Sequence, residues 1–160
     1  MKFIKFAFVV FVLISVSCCT ASSKSKTKTM ATTAAATKPS GINFIEDDWS
    51  NALQQAKTTN KLVFLDIYAT WCGPCKMLKQ YTFSDTAVGS FFNQNFINVS
   101  VDGEKGVGPQ LAQQFSIDGY PSLIITDAQG KAILFTEGYM PADYLLKFAA
   151  DALKKSKTHS

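Results

Sequence analysis

The sequence predicts an α/β domain: a central mixed β-sheet with helices on both faces. Three observations lead there. Segments of helical and strand character alternate from residue 47 to residue 115, and a strand–turn–strand pattern and an amphipathic helix follow. The segment that carries them, residues 41–160, is domain-sized and long enough to bury roughly two thirds of the surface its unfolded chain exposes. The whole chain has 160 residues, 47% of them apolar and 12% aromatic, which suits one globular domain. Four cysteines are too few for a small disulfide-stapled scaffold, and the apolar content excludes a wholly disordered chain.

Lys2 and Lys5 precede an unbroken apolar run, Phe6 to Ile14, and small or polar residues follow at Ser15, Ser17, Cys18, Cys19 and Thr20. This is the pattern of a secretory leader, residues 1–19. The run falls within the roughly 7 to 15 apolar residues of a signal segment and short of the about 20 that span a membrane, an uncleaved anchor being the alternative. Residues 20–40 are Ala, Thr, Ser and Lys apart from Met30 and Pro39. With no apolar periodicity they read as a flexible tether, whose some 20 residues hold a domain on the order of 25 Å from an anchor point.

Within residues 41–160, Asp47 and Asp48 are placed to cap a helix carrying Trp49, Leu53 and Ala56, and Lys61 to Ala69 is an apolar run of strand length. A helix starts beside Cys72. Asp85 caps another, with Val88, Phe91 and Phe92 on one side; Phe96 to Val101 reads as a strand and Pro109 to Phe115 as a helix. Leu123 to Thr126 and Lys131 to Thr136 form a hairpin about the turn Asp127-Ala-Gln-Gly130, and Pro141 opens a last helix with Leu145, Phe148, Ala149 and Ala152 on one face.

The formal charge of +4 comes from sixteen lysines, with no arginine, against twelve acids, and taken alone it suggests nucleic acid or anionic lipid as a partner. Its distribution removes that reading. Residues 1–40 hold six lysines and no acid, so the domain has ten lysines against twelve acids, a net of −2. Nucleic acid is not an expected partner, and no long exposed apolar stripe calls for more than a monomer.

The chemistry is concentrated in Trp71-Cys-Gly-Pro-Cys-Lys76, after a buried strand and at the opening of a helix. Two thiols two residues apart can close a small disulfide ring. At a helix N-terminus the unpaired amides and the macrodipole favour a thiolate, so Cys72 is the expected nucleophile and Cys75 the resolving thiol. Pro74 fits, because the first turn has no intrahelical acceptor for the N–H it lacks. A metal site is the plainer alternative, but tetrahedral zinc needs about four ligands, the only histidine is His159 in the tail, and the domain has no second cysteine pair.

The string resembles the active-site motif of the thioredoxin family, and the resemblance extends from about Ile42 to Lys155. It implies a thioredoxin fold and a thiol:disulfide oxidoreductase with no metal or nucleotide cofactor. By the same resemblance Asp66, six residues before Cys72, is a buried carboxylate that accepts the proton of Cys75. Tyr120-Pro121-Ser122 is similar to the family's cis-proline loop, and Gly138 to a glycine beside its substrate groove. Trp71, Gly73, Pro74, Tyr120, Pro121 and Gly138 are then the expected substrate-binding surface, although Trp71 and Tyr68 have a simple packing role as their alternative. Where many thioredoxins carry a lysine near the buried Asp, this chain has Asn98, which leaves Asp66 without its usual cation.

Gln80-Tyr-Thr-Phe-Ser-Asp85 resembles instead the extracytoplasmic C-terminal domain of DsbD-type transmembrane thiol:disulfide interchange proteins. Ile14-Ser-Val-Ser-Cys-Cys19 resembles a bacterial lipobox, with Cys18 the preferred site of lipid attachment and loss of both cysteines with the leader as the alternative. These resemblances imply a membrane-tethered periplasmic enzyme reducing protein disulfides. Gly73-Pro74 differs from the intervening pair usual in the DsbD-type family, so its electron donor does not carry over. A membrane thiol donor is expected because an oxidising compartment opposes a reductant that nothing re-reduces. A metallochaperone or redox adaptor on the same fold, and an oxidase or isomerase, are the alternatives to this reductase.

Overall fold

A computed structural model describes residues 41–158. The leader, the tether, Cys18, Cys19 and His159 lie outside the described residues. Five strands, β1 (Ile45–Glu46), β2 (Leu62–Tyr68), β3 (Phe96–Asp102), β4 (Ser122–Thr126) and β5 (Ala132–Glu137), form one sheet in the order β1-β3-β2-β4-β5. The first three are parallel, β4 runs antiparallel to β2, and β5 runs antiparallel to β4. This is the expected mixed sheet.

Helix α1 (Trp49–Thr59) begins where Asp48 Oδ1 accepts the Asn51 N–H at 3.0 Å. The neighbouring Asp47 does not cap this helix. Its φ is +54° and its carboxylate accepts the Asp102 N–H at 2.8 Å, fastening the end of β3. Helix α3 (Thr86–Asn95) is capped by Asp85, whose Oδ1 accepts from Ala87 N–H and Val88 N–H. The active-site helix, α2 (Gly73–Met77), continues into a π-helical turn over Leu78–Thr82, where the Phe83 N–H donates to the Leu78 carbonyl five residues back. Helices α4 (Gly108–Gln114) and α5 (Ala142–Lys157) complete the chain.

Period-two alternation along the strands separates two cores. On one face Phe64, Phe96, Leu123 and Ile125 pack under Leu78 of the π turn, Val88 and Phe92 of α3, and Leu145, Ala149 and Ala152 of α5. On the other, Leu65, Ile67, Val99, Val101 and Ile124 meet Trp49, Ala52 and Ala56 of α1 and Leu111 of α4. β2 pairs on both edges and is covered on both faces, so its carboxyl end is held from four directions, and the cysteine motif departs from that end.

Candidate active site

The chain leaves β2 through Ala69, Thr70 and Trp71, and the Cys72 N–H donates to the Ala69 carbonyl at 3.1 Å. Cys72 is the N-cap of α2 with an extended backbone, and its Sγ accepts the Cys75 N–H at 3.1 Å. Cys72 and Cys75 are joined by a disulfide with an S–S distance of 2.03 Å and Cα atoms 5.4 Å apart. Both side chains are nearly enclosed, with 2% and 3% exposure. Tyr68 and Tyr120 pack against them together with Ala69. A Cβ added at Gly73 would meet nothing within 4 Å, so this glycine leaves the ground beside the disulfide clear.

The Tyr120–Pro121 bond is cis, as the resemblance implied. The Gly138 N–H donates to the Pro121 carbonyl at 2.8 Å, so the end of β5 fastens the loop beside the cysteines. Gly138 has φ +89°, a conformation that disfavours any side chain. Trp71 is 66% exposed; its ring meets Tyr120 edge-on at 6.0 Å, and its Nε1–H donates to Glu104 Oε1 at 2.9 Å. Gly103, next to Glu104, lets Tyr120 approach: a Cβ there would lie 2.5 Å from the Tyr120 hydroxyl.

Asp66 lies on β2 with 1% exposure, paired in register with Ser100 of β3 and Leu123 of β4. Ser100 Oγ–H donates to its Oδ2 at 3.0 Å, and Oδ1 has no hydrogen-bond partner among the described residues. Burial pushes the Asp66 carboxyl up from 3.8 to about 7, against the opposing pull of the Ser100 hydrogen bond and the Lys79 ammonium; Glu46 adds to the rise. Asn98, which stands where many thioredoxins carry a lysine, lies on the same face but spends its amide on other partners. It pairs in register with Phe64, and its Nδ2–H donates to Asn93 Oδ1 at 3.2 Å and the Asn43 carbonyl at 3.4 Å.

Sequence reasoning missed Ser100, Glu104, Gly103 and Lys79. A signal for the first existed, since Asn98, Ser100 and Asp102 make a polar stripe of period two along an otherwise apolar strand. Glu104 is 33 residues from Trp71 and has no local signature. Lys79 stands four residues after Cys75, one helical turn on, and its Nζ lies 3.8 Å from the centre of the Tyr68 ring.

Residues 49–153 match the model of the thioredoxin-like domain family. The thiol:disulfide interchange protein DsbD of Photorhabdus laumondii is 34% identical over 105 residues, 64% of this chain and 18% of that relative's length. A thioredoxin H-type of Fagopyrum esculentum is 31% identical over 66% of this chain and 84% of its own. Among solved structures, a candidate disulphide-isomerase from Bacteroides thetaiotaomicron superposes with a TM-score of 0.65 at 36% identity, over 72% of this chain and 95% of the other. The C-terminal domain of Neisseria meningitidis DsbD, at 21% identity over 69% of this chain and 99% of its own, shares the fold with a TM-score of 0.58. The chain belongs to the thioredoxin-like family of thiol:disulfide oxidoreductases, with a redox-active cysteine pair.

Proposed function

We propose that the protein is an extracytoplasmic reductase of protein disulfides. The observation that carries the reading is the Cys72–Cys75 pair at the start of α2 with Gly73 and Pro74 between. In the disulfide form Cys72 Sγ accepts the Cys75 N–H at the positive end of a helix, and once the pair is reduced the same amide and helix end favour the Cys72 thiolate. That thiolate attacks one sulfur of a substrate disulfide. A Cys72–substrate bond forms, the substrate S–S bond breaks, and the displaced sulfur leaves as a thiolate that takes a proton from solvent. Cys75 then passes its proton to Asp66 and attacks Cys72 Sγ, closing the intramolecular disulfide and releasing the second substrate sulfur. Two electrons move from the enzyme dithiol to the substrate. A carboxyl with a midpoint of about 7 is suited to taking up a thiol proton near neutral pH.

The substrate chain lies beside Tyr120 and Pro121, with Trp71, Gly73, Pro74 and Gly138 completing the contact surface. The Gly-Pro pair between the cysteines supports the reducing direction by its likeness to thioredoxin. Thioredoxin sits at about −270 mV and the oxidant DsbA at about −120 mV, roughly 7 kcal/mol apart. The leader, Cys18 and the tether support a periplasmic, membrane-anchored location, and a thiol donor in the membrane re-reduces the pair.

Two measurements test the reading. The protein is expected to catalyse insulin reduction by dithiothreitol, with Cys72→Ser returning the rate to the uncatalysed background; retained activity in that variant would sink the mechanism. Equilibration in glutathione buffers is expected to give a potential near that of thioredoxin. A value near DsbA would reverse the direction, and one near protein disulfide isomerase, about −180 mV, would favour the isomerase reading that the Bacteroides thetaiotaomicron relative supports.

A further inference from the structure

Asp66 is buried on the face of β2 that carries the active-site helix, and the strand that supplies its hydrogen bond supplies no cation: the β3 position in register is Ser100, and Asn98 is engaged with Asn93 and Asn43. The positive charge that reaches this site comes from another element. Lys79 sits in the π-helical turn that continues α2, four residues beyond the resolving cysteine. Its Nζ rests 3.8 Å over the Tyr68 ring, and Tyr68 is two residues beyond Asp66 on β2, so their side chains share a face of the sheet. A ring beneath an ammonium restrains a long, exposed side chain that would otherwise sample many rotamers.

We propose that Lys79 is the positioning residue for the Asp66 carboxylate: seated on Tyr68, it supplies from the active-site helix the cation that β3 lacks, and so governs when Asp66 holds a proton while Cys75 reacts. The inference rests on the reading of Asp66 as the proton acceptor of Cys75. Lys79 forms no ion pair with Asp66; it acts through space and pulls the Asp66 titration downward, opposing burial. The other groups acting on Asp66 itself are acidic or neutral. Glu46 of β1 raises Asp66, and Ser100 of β3 lowers it through its hydrogen bond. Burial pushes the Tyr68 hydroxyl upward, and Asp47, Glu46, Asp102 and Asp66 add to that rise. Lys105 is bound to Asp102 at 2.8 Å, so its charge is engaged there. Coupling the cation to the active-site helix places the acid's charge control on the same element as the thiol it serves, so the two respond together to any shift of that helix when a substrate docks.

The test is a carboxyl-carbon NMR titration of Asp66 in the full-length oxidised protein, run beside the pH profile of mixed-disulfide resolution. Lys79→Gln is expected to move both midpoints upward by roughly half a pH unit, and Lys79→Arg, which keeps a cation on an aromatic ring, to hold them at the wild-type value. Midpoints unchanged in Lys79→Gln, or raised equally in Lys79→Arg, would overturn the inference, the second because packing rather than charge would then be responsible. Asp66→Asn separates this from failure of the underlying reading. If that variant leaves the resolution rate and its pH profile unaltered, Asp66 is not the acceptor; if it slows resolution while Lys79→Gln shifts nothing, only the role of Lys79 falls.

Discussion

Two buried polar positions lie two residues apart on the same face of the β2–β3 pair. At one, Asn98 stands opposite Phe64 and gives its amide protons to Asn93 of α3 and to the Asn43 carbonyl. At the other, Asp66 stands opposite Ser100 and takes a single hydrogen bond from it. Each leaves one oxygen without a hydrogen-bond partner among the described residues, so burial and an orphan acceptor do not separate them. Ionisability does. An amide keeps the same charge at every pH, and Asn98 therefore ties the segment entering β1 to α3 and β3 under all conditions. A carboxyl with the same deficit changes charge near neutrality, and it stands two residues before the end of β2 from which the cysteines depart. The difference shows how one sheet face can hold a fastening and a proton acceptor side by side.

The comparison is broken most sharply by removing the charge. Asp66 titrates at about 7 in the folded protein against 3.8 for an ordinary Asp. Because the folded value is raised, its stabilising contribution is full below about pH 3.8 and is lost as pH rises through about 7. A shift of this size corresponds to about 4 kcal/mol between acid and pH 8. Asp66→Asn is expected to raise stability toward denaturant by up to that amount at pH 8 and to leave it nearly unchanged at pH 3. Equal stabilisation at both would show that the charge is not the cause. Conversely, Asn98→Asp places an acid where both present acceptors, Asn93 Oδ1 and the Asn43 carbonyl, oppose it. The expected loss is about 3 kcal/mol at pH 8, shrinking in acid as the protonated carboxyl regains a donor. Asn93→Ala removes an acceptor used by both the Asn43 N–H and Asn98, for an expected cost of about 1 to 2 kcal/mol that is flat with pH.

How far the sequence could reach follows the same division between local and tertiary signals. β2 was legible because Lys61 to Ala69 is a run of strand length in which Asp66 alone interrupts the apolar stretch from Leu62 to Ala69, and α3 and α5 because a cap or a proline precedes an apolar face. β1 was not, since Ile45–Glu46 has no periodicity of its own and exists through pairing with Val99 and Ser100. Asp47 and Asp48 are equivalent as local capping signals, and only the distant Asp102 N–H distinguishes them. The cysteine pair stood out because its whole geometry is set within four residues. The partner of Asp66 depends on strand register, which no single segment encodes; two residues separate Asn98, where the resemblance places the family's lysine, from the observed Ser100. The π turn hides as well, because an inserted residue does not interrupt a run of helix-forming side chains, and with it hides the course of Lys79 to Tyr68.

The smallest expected effect makes the finest distinction between the two positions. Ser100 is to Asp66 what Asn93 is to Asn98, the neighbour that answers a buried polar group, yet Ser100 donates to an acceptor whose charge changes. A hydroxyl that donates to a carboxylate stabilises the charged form more than the neutral one. Ser100→Ala is therefore expected to act in the opposite sense to Asp66→Asn on the charge: it raises the Asp66 midpoint above about 7, by about one pH unit, equivalent to about 1.4 kcal/mol. In acid, where the carboxyl is protonated in folded and unfolded protein alike, the stability cost should largely disappear. A parallel measurement on Asn93→Ala should show no such disappearance, because neither partner there titrates. If Ser100→Ala instead lost the same stability at pH 3 and pH 8 with the Asp66 midpoint unmoved, the hydroxyl would be a packing group, and the Asp66 titration would be set by burial, Lys79 and Glu46.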